Sequence, residues 1–429
     1  MSGFEPSWVT GLELADPIAD LEAPARTPGA CRRAHVLVTL HGGPLGFVDV
    51  DLIEGRCDGA DLHALARERF ANEVTAHLAS DGTPIAGPGD PITWPSGAPA
   101  CVQSGAHGEA GGHATVVVCT RDREASLRRT LLLILELDYP QFDVVVVDNA
   151  PRTDAARRVI AELDDARLSY VLEPVSGLSR ARNCGLAHAS GSIIAFTDDD
   201  VLVDRQWLAA LARGFTRAPR VGCVTGIVPG AERETLAQAY FEARVQWSDR
   251  MQPALHDLGR HRPADDPFFP YSAGRFGTGA NFAVSRAAAD DIGTFDEALG
   301  PGVPATNADD LDYFLRTILG GWTLAYEPRA VAWHVHRREM TELEAQMRTY
   351  GKGLSAYAFK HLRTRRAIVQ ILPRLPRAAR ILLTRARSAE SIDPAAAGLV
   401  RLELRGMLGG PWGYVQGRRA VRARARRER

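Results

Sequence analysis

Three consecutive aspartates, Asp198, Asp199 and Asp200, end the otherwise apolar stretch SIIAFTDDD. Adjacent carboxylates repel one another unless a positive group lies among them. Mg²⁺ and Mn²⁺ take oxygen ligands and are commonly held by one or two protein carboxylates together with substrate phosphates. The stretch therefore predicts a divalent-cation site at the end of a buried strand. The alternative is an ordinary helix N-cap, because aspartate is frequent where a strand leads into a helix.

Polar residues also end two earlier apolar runs. Thr120 and Arg121 follow TVVVC, and Asp148 follows the valine run of DVVVVDNA. A carboxylate at such a position can accept a hydrogen bond from a ring N–H of a bound ligand. The alternative for Asp148 is a turn, since Asp-Asn pairs are common turn formers.

A second acidic group begins the amphipathic stretch NADDLDYFLR, which contains Asp309, Asp310 and Asp312. A carboxylate held beside a reacting hydroxyl can act as a general base, although acidic residues also favour the first turn of any helix. Further on, AWHVHR places His334 and His336 on the same side of an extended segment. Imidazole suits Mn²⁺ better than Mg²⁺, whereas an isolated histidine is more often structural.

Two further motifs offer groups that suit a phosphorylated ligand. GLSRARNCGL begins a helix with Arg180, Arg182 and Asn183, and GTGANFAVSR contains Gly279 and Asn281. Arginines near a helix start can bind phosphate, and glycine permits close approach of the backbone to a ligand. A solvated basic helix face is the alternative for the arginines.

The elements that must position these residues follow an alternating pattern from residue 115 to 200, where short β-branched runs are separated by helical stretches. Apolar runs this continuous are typical of strands covered on both faces, so the pattern predicts an α/β fold with a mostly parallel sheet. Ligands of such sheets bind beyond the carboxyl ends of the strands. The polar residues that end the runs therefore mark the expected binding edge.

Composition divides the 429 residues further. A predicted hairpin at 34–52 and a helix capped by Asp61 indicate an N-terminal α+β module, whose first 30 residues are expected to be loop or partly disordered. Residues 341–429 carry 20 Lys or Arg and 6 Asp or Glu, which gives this helical region a charge of +14 against −15 for the remainder. The predicted division is an N-terminal module at 1–94, a Gly- and Ala-rich linker at 95–113, a catalytic domain at 114–340 and a basic helical region at 341–429.

Several classes of protein are disfavoured. Six cysteines at long intervals indicate reduced thiols and a cytoplasmic protein. Neither a signal peptide nor an apolar run of about 20 residues is apparent, so a membrane-spanning protein is not expected. A dinucleotide fingerprint and a Walker motif are both missing, which disfavours dehydrogenases and kinases.

Seven motifs in order carry a family resemblance: VVVCTRDR, VVVVDNA, GLSRARNCGL, FTDDDV, GTGANFAVSR, DDLDYFLR and WHVHR. Over roughly residues 114–340 the chain resembles the family-2 inverting glycosyltransferases with a GT-A fold. The resemblance implies that Asp310 is the general base and that Asp309 replaces a customary glutamate. It implies that Asp200 and His334 bind Mn²⁺ or Mg²⁺, with His336 as the alternative to His334. The remaining positions would bind the donor: Thr120, Arg121, Asp148, Arg182, Asn183, Asp198 and Asp199.

The function implied is transfer of a sugar from a nucleotide donor, expected to be a UDP-sugar, to a glycan or lipid-linked acceptor, as in cell-envelope polysaccharide synthesis. Aromatic residues within 231–276 are candidates for stacking on the acceptor, with core packing as the equal alternative. A non-catalytic glycan-binding or scaffold descendant is the second hypothesis. A nucleotidyltransferase is a weaker third, because CTRDREASLRR lacks a Gly-rich loop.

The apolar and arginine-rich segment 366–387 is typical of a helix that lies on an anionic membrane surface. A cytoplasmic protein attached peripherally to the inner face of the membrane is therefore expected. The alternatives are a solvated helix and nucleic-acid binding, and the second is disfavoured because groove-reading motifs are missing.

Overall fold

The computed structural model describes residues 4–24, 31–82, 112–305, 307–364 and 394–427, with a few isolated positions within 92–101 and 368–380. The predicted linker at 95–113 and the segment 366–387 therefore lie largely outside the described residues. Within the described part of the chain, no helix combines the length and the apolar character needed to cross a bilayer.

The N-terminal elements form a small sheet with two helices. In chain order they are β1 (Ser7–Glu13), β2 (Leu21–Glu22), β3 (Arg33–Leu40), β4 (Gly43–Asp51), β5 (Arg56–Cys57), α1 (Gly59–Arg69) and α2 (Ala71–Ser80). β3 pairs in parallel with β1 and antiparallel with β4, whereas β2 pairs with β5. Valine and leucine side chains from β3 and β4 pack with α1 and α2 in one apolar cluster. The region thus has a core of its own.

The predicted hairpin is confirmed, but its turn, which the sequence places at Gly42-Gly43-Pro44, begins one residue earlier. The turn lies at His41 and Gly42, which have φ values of 51° and 73°, as a two-residue hairpin turn requires. Gly43 already belongs to β4. The predicted cap of α1 was also wrong, because Asp58, not Asp61, accepts the backbone N–H groups at the start of this helix.

The central sheet is built from nine strands and carries helices on both faces. Its elements, in chain order, are β6 (Ala114–Thr120), α3 (Glu124–Leu135), β7 (Phe142–Asn149), α4 (Ala155–Leu163), β8 (Leu168–Glu173), α5 (Leu178–His188), β9 (Ile193–Asp198), β10 (Val201–Val203), α6 (Trp207–Gly214), β11 (Val221–Ile227), α7 (Leu236–Val245), β12 (Ala254–His256), β13 (Asn281–Ser285), α8 (Arg286–Ile292), α9 (Asp309–Leu319) and β14 (Thr323–His334).

The strand order is β10-β14-β11-β13-β9-β6-β7-β8, and β12 pairs with β14 beside this path. β6, β7, β8 and β9 are parallel neighbours, and β11 and β14 run in the same direction. β10, β12 and β13 run antiparallel to their neighbours. The predicted α/β class with a mostly parallel sheet is confirmed.

The apolar runs are continuous because both faces of the sheet are covered. Val116 and Val118 of β6 pack with α3 and α6 in one cluster, whereas Val117 and Cys119 pack with α5 and α9 in another. All four side chains are less than one tenth exposed. Successive strand residues point to opposite faces, so every position of the run is apolar.

Three helices complete the described chain: α10 (Met340–Leu362), α11 (Pro394–Met407) and α12 (Gly410–Arg427). The helical C-terminal region is therefore confirmed. α10 packs on α11 so closely that a Cβ at Gly351 would collide with the backbone of Glu403. Arg244 of α7 forms an ion pair with the Glu403 carboxylate, which links α11 to the central domain.

Candidate functional site

A cleft of about 1100 Å³ opens at the carboxyl edge of the parallel strands. Strand ends, the starts of α5 and α9, the loop before β13 and one side of α10 form its walls. Ten of the predicted site residues line it: Thr120, Arg121, Arg182, Asp198, Asp199, Asp200, Gly279, Asp309, Asp310 and His334. The fold therefore brings together residues that are up to 214 positions apart in the sequence.

The three aspartates after β9 have different partners. Asp199 accepts hydrogen bonds from Thr120 Oγ1 at 2.7 Å and from Arg123 Nη1 at 2.8 Å. Its backbone carbonyl accepts a further bond from Ser126 at 2.7 Å. Burial raises the pKa of Asp199, and the positive charge of Arg123 opposes that rise. Asp199 thus ties the strand end to the start of α3, a contact that its sequence position did not reveal.

Asp198, Asp200 and His334 form a group whose oxygen and nitrogen atoms lie within 4.8 Å of one another. The group forms because β10 pairs with β14 in a register that puts Val201 opposite His334. His334 Nε2 lies 3.3 Å from Asp200 Oδ1. Two carboxylates and one imidazole are ligands that Mn²⁺ accepts, and Mg²⁺ accepts the carboxylates. The donor set therefore fits a divalent cation.

The pKa values of Asp198, Asp200 and His334 shift in different directions. Burial raises the pKa of Asp198 to about 6, against the opposing charge of Arg182. Burial also acts to raise the pKa of Asp200, but the hydrogen bond and charge of His334, together with the charge of Arg123, lower it overall. Burial acts to lower the pKa of His334, and its bond to Asp200 raises it overall. A cation bound here would therefore compete with a proton on His334.

A chain of hydrogen bonds continues behind His334. Its Nδ1 lies 2.8 Å from His336 Nδ1, and His336 Nε2 lies 2.9 Å from Glu242 Oε2. Ser248 donates to the other oxygen of Glu242 at 2.6 Å. Because an ionised carboxylate only accepts, His336 carries its proton on Nε2, and its Nδ1 accepts the proton of His334 Nδ1. This leaves the lone pair of His334 on Nε2 when that imidazole is neutral, directed towards Asp200.

His336 is thus behind the candidate ligand and does not line the cleft. Partners of this kind orient a metal-binding histidine and fix its tautomer. Glu242 and Ser248 were missed in the sequence because they lie about 90 residues before the histidines and match no motif.

Arg182 connects the two acidic groups of the cleft. Its Nη1 donates to Asp309 Oδ2 at 2.9 Å, and its Nη2 donates to the Gly279 carbonyl at 3.0 Å and to Asp198 Oδ1 at 3.4 Å. The Arg182 side chain is only 4% exposed. The guanidinium therefore offsets the repulsion between carboxylates that come from β9 and α9.

Asp310 is held by two backbone N–H groups. Gly279 donates to Oδ2 at 2.7 Å, and Leu311 donates to Oδ1 at 2.8 Å. Burial and then the neighbouring charge of Asp309 raise the pKa of Asp310. A Cβ at position 279 would lie 2.7 Å from Arg182 Nη2 and 3.0 Å from Asp310 Oδ2, so glycine is required there.

Six predicted site residues do not line the cleft: Asp148, Arg180, Asn183, Asn281, Asp312 and His336. Asn281 accepts from Trp207 Nε1 at 2.8 Å and donates to two backbone carbonyls in the core. Asn183 exchanges two hydrogen bonds with the backbone of Phe295. Asn281 therefore joins strands and a helix within the core, and Asn183 joins α5 to the segment after α8, so their placement gives no support to direct donor contact.

The charged members of this set form ion pairs elsewhere. Arg180 bonds to Glu297 at 3.1 Å on the far side of α5. Asp312 is fully buried and contacts Lys360 at 2.6 Å and His361 at 2.9 Å, both from α10. Asp312 therefore anchors α10 to α9 and is directed away from the cleft.

Asp148 lies at the end of β7, beside the cleft-lining Asn149. Tyr170 donates to its Oδ2 at 3.1 Å, whereas its buried Oδ1 has no hydrogen-bond partner among the described residues. Burial raises the pKa of Asp148. A buried acceptor without a donor is uncommon in proteins and suggests that a ligand supplies the donor.

Some of the aromatic residues within 231–276 are placed to stack on an acceptor, and others pack in the core. Trp247 and Tyr271 line the cleft, whereas Tyr240, Phe241 and Phe269 are at most 8% exposed and pack in apolar clusters. α10 adds further aromatic side chains to the same wall, Tyr350 and Tyr357.

The fold and these groups together define a glycosyltransferase domain. Residues 115–293 match the family model described as "Glycosyl transferase family 2", and the chain therefore carries a domain of that family.

Curated relatives agree with this assignment. The chain is 30% identical over 257 residues to the pre-mycofactocin glycosyltransferase of Mycobacterium tuberculosis, over 58% of this chain and 48% of that protein. It is 27% identical over 230 residues to the succinoglycan biosynthesis protein ExoM of Rhizobium meliloti, over 51% of this chain and 65% of that protein. The chain thus spans about half the length of the mycobacterial relative.

Among solved structures, the chain resembles a mannosyltransferase from Pyrobaculum calidifontis in complex with GDP-Man and Mn²⁺. The TM-score is 0.49 and the identity 20%, over 70% of this chain and 88% of that chain.

Proposed function

We propose that the chain is a metal-dependent inverting glycosyltransferase that moves a sugar from a nucleoside diphosphate donor to a hydroxyl acceptor. The observation that carries the proposal is the pairing of two groups in one cleft. Asp198, Asp200 and His334 form a cation-type set, and Asp310 is a fixed carboxylate on the neighbouring wall.

Asp198, Asp200 and His334 would hold Mn²⁺ or Mg²⁺. When bound, the cation supplies positive charge that stabilises the diphosphate leaving group. The chain itself orients the set, because Glu242 and His336 fix the tautomer of His334, and Arg182 fixes Asp198.

Asp310 would accept the proton of the acceptor hydroxyl. A general base works best when its pKa lies near the working pH, and burial moves the pKa of Asp310 in that direction. The two backbone N–H groups fix both carboxylate oxygens, which limits the reorientation needed at the moment of reaction. A single base of this kind suits inversion by direct displacement.

The donor base would lie near Thr120, Arg121 and Asp148. The unpartnered Oδ1 of Asp148 suits the imide N–H of uracil, which favours UDP-sugars. Cytosine has no ring N–H at the corresponding position, so CDP is the informative competitor. We expect UDP to protect the protein from thermal unfolding more than CDP, and Asp148→Ala to remove that preference.

The acceptor would enter along the aromatic wall of Trp247, Tyr271, Tyr350 and Tyr357. Aromatic faces stack on sugar rings and suit a glycan or a lipid-linked sugar. The excess of basic residues in 341–429 supports peripheral attachment to an anionic membrane, where a lipid-linked acceptor resides.

The decisive experiment is a panel of nucleotide sugars incubated with the purified chain and Mn²⁺, read by thermal shift and by donor hydrolysis. In Asp310→Asn we expect turnover to fall about 100- to 10,000-fold, as for loss of a general base, while donor-dependent thermal protection is retained. Asp138→Asn is the matched control, because Asp138 is exposed and, within the described part of the chain, its carboxylate bonds to the Gln206 side chain alone. Loss of protection together with turnover in Asp310→Asn would contradict a pure base role.

A further inference from the structure

A second group of metal-type side chains lies outside the cleft, between the N-terminal region and the central sheet. It consists of His41 in the β3–β4 turn, His77 and Asp81 at the end of α2, and Cys101. One nitrogen, oxygen or sulfur atom of each lies within 4.8 Å of all the others. We propose that these four residues bind one Zn²⁺ in a closed structural site.

The distances approach those of a tetrahedron. Asp81 Oδ2 lies 2.9 Å from His41 Nδ1, 3.2 Å from His77 Nε2 and 3.0 Å from Cys101 Sγ. Cys101 Sγ lies 3.4 Å from His77 Nε2 and 3.9 Å from His41 Nδ1. Tetrahedral zinc with bonds of about 2.0–2.3 Å has ligand-to-ligand distances of roughly 3.3–3.7 Å. Small side-chain movements would therefore complete the coordination.

Hydrogen bonding alone accounts poorly for this arrangement. Three groups, His41 Nδ1, His77 Nε2 and Cys101 Sγ, all approach the same oxygen of Asp81. A carboxylate oxygen offers about two lone-pair sites, so it cannot accept well from three donors. The other oxygen of Asp81 is engaged by the backbone N–H of Cys101 at 2.7 Å. A cation satisfies all four side chains at once, because each then acts as an electron-pair donor.

The types of ligand select the metal. A thiolate and two imidazoles suit zinc, whereas Mg²⁺ and Ca²⁺ prefer oxygen ligands. His77 and Asp81 are four residues apart, so they project from the same face of α2 and its C-terminus.

Four protein ligands leave no open position for a substrate, as in structural zinc sites. The side chains of His41 and Asp81 are at most 1% exposed and that of His77 is 13% exposed, which suits a closed site.

The surroundings connect this zinc site to the central sheet. Arg329 of β14 donates to the backbone carbonyls of His41 at 3.2 Å and Cys101 at 3.1 Å. Its positive charge also acts to lower the pKa of Cys101, although burial raises that pKa overall. His41 has a φ of 51°, a left-handed position where Asn or Gly is usual in hairpin turns. We infer that zinc fastens the hairpin turn, α2 and Cys101 to one another beside β14.

The test is metal analysis of the full chain, purified without chelators and quantified by plasma mass spectrometry. We expect one zinc per chain in the wild type, and loss of zinc in Cys101→Ser and His77→Ala. Cys57→Ser is the matched control, because Cys57 lies in the same region with similar partial exposure and outside the cluster. Asp200→Asn should also retain zinc, which separates this site from the cation of the cleft.

Substitution with Co²⁺ keeps the proposal testable even if a variant fails to fold. Wild-type protein stripped of zinc and loaded with Co²⁺ should show a thiolate-to-cobalt charge-transfer band and the intense visible bands of tetrahedral cobalt. The wild type failing to take up zinc, a cobalt protein without the thiolate band, or Cys101→Ser with full zinc would each overturn the proposal. None of these outcomes depends on glycosyl transfer.

Discussion

Replacing Arg182 by methionine should strongly destabilise the protein. The guanidinium is 4% exposed and forms an ion pair with the Asp309 side chain, which is 2% exposed, and with Asp198. Methionine keeps similar length but leaves the buried Asp309 carboxylate, and the partly exposed Asp198 carboxylate, without their counter-charge. Removing one partner of a buried ion pair destabilises by about 3–5 kcal/mol, because the remaining charge stays desolvated.

Arg180→Met is the matched control, two residues earlier on the same helix. Its side chain is 19% exposed, and its partners Glu173 and Glu297 are 11% and 25% exposed. These pairs are less buried than the Arg182–Asp309 pair, so water still solvates part of the remaining charge and the loss should be smaller. Urea unfolding followed by circular dichroism should therefore show a larger loss in the free energy of unfolding for Arg182→Met, about 3–5 kcal/mol, than for Arg180→Met. Equal losses would refute the conclusion that Arg182 neutralises buried carboxylates.

The double variant Arg182→Met with Asp309→Asn separates the pair from a general packing defect. The Asp309→Asn change removes the buried negative charge that Arg182→Met leaves without a counter-charge, so part of the lost stability should return. Directly contacting residues show coupling energies of about 0.5–3 kcal/mol in double-mutant cycles. Strictly additive losses would show that the two side chains do not stabilise one another.

Three further outcomes are expected. In Asp309→Asn the pKa of Asp310 should fall, because a neighbouring negative charge that raises it is removed. A base must be deprotonated to act, so the acid limb of the pH–rate profile should move to lower pH. A shift of that limb to higher pH would contradict the assignment of Asp310 as the base. Glu242→Gln should weaken Mn²⁺ binding, measured by calorimetry, about 10- to 100-fold, because His336 loses the carboxylate that fixes its tautomer. Unchanged Mn²⁺ affinity would show that Glu242 does not orient the histidine ligand. Anionic liposomes should float the chain at low salt but release it at high salt if 341–429 attaches to membranes, and no flotation at low salt would end that proposal.

The location of the cleft could be predicted because it depends on a local pattern. Asp198 and Thr120 each end an apolar run, and runs that become parallel strands of one sheet end at the same edge. The residues of this edge therefore converge whatever the lengths of the connections between them.

Other contacts depend on backbone geometry that no motif specifies. Arg121 was predicted to bind the donor, and Arg123, which no motif singled out, bonds to Asp199 and Asp200. The reason is Asp122, whose φ of 54° reverses the chain directly after β6 and whose carboxylate accepts the backbone N–H of Arg152. A left-handed aspartate is not recognisable in TRDRE without knowledge of its partners.

α10 was missed for a different reason. The basic average of 341–429 suggested a separate tail, but the first helix of that region supplies one wall of the cleft. Leu343, Met347 and Tyr357 of α10 are buried. These residues recur at helical spacing, and that spacing could have indicated a core-facing helix. Charge averaged over 89 residues hid it, since the arginines are concentrated beyond this helix.

The arrangement of charge at the centre of the cleft accounts for three aspartates in succession. Five carboxylates face two directly bonded guanidiniums there: Asp198, Asp199, Asp200, Asp309 and Asp310, with Arg123 and Arg182. The carboxylates outnumber the guanidiniums bonded to them, and this local negative charge disfavours an uncomplexed diphosphate, although Arg121, Arg275 and Arg337 also line the cleft. A cation held between Asp198, Asp200 and His334 removes most of that excess where the leaving group must lie. The same carboxylates that keep an uncomplexed diphosphate out would therefore admit the metal-bound donor, so that cation and donor are recognised together.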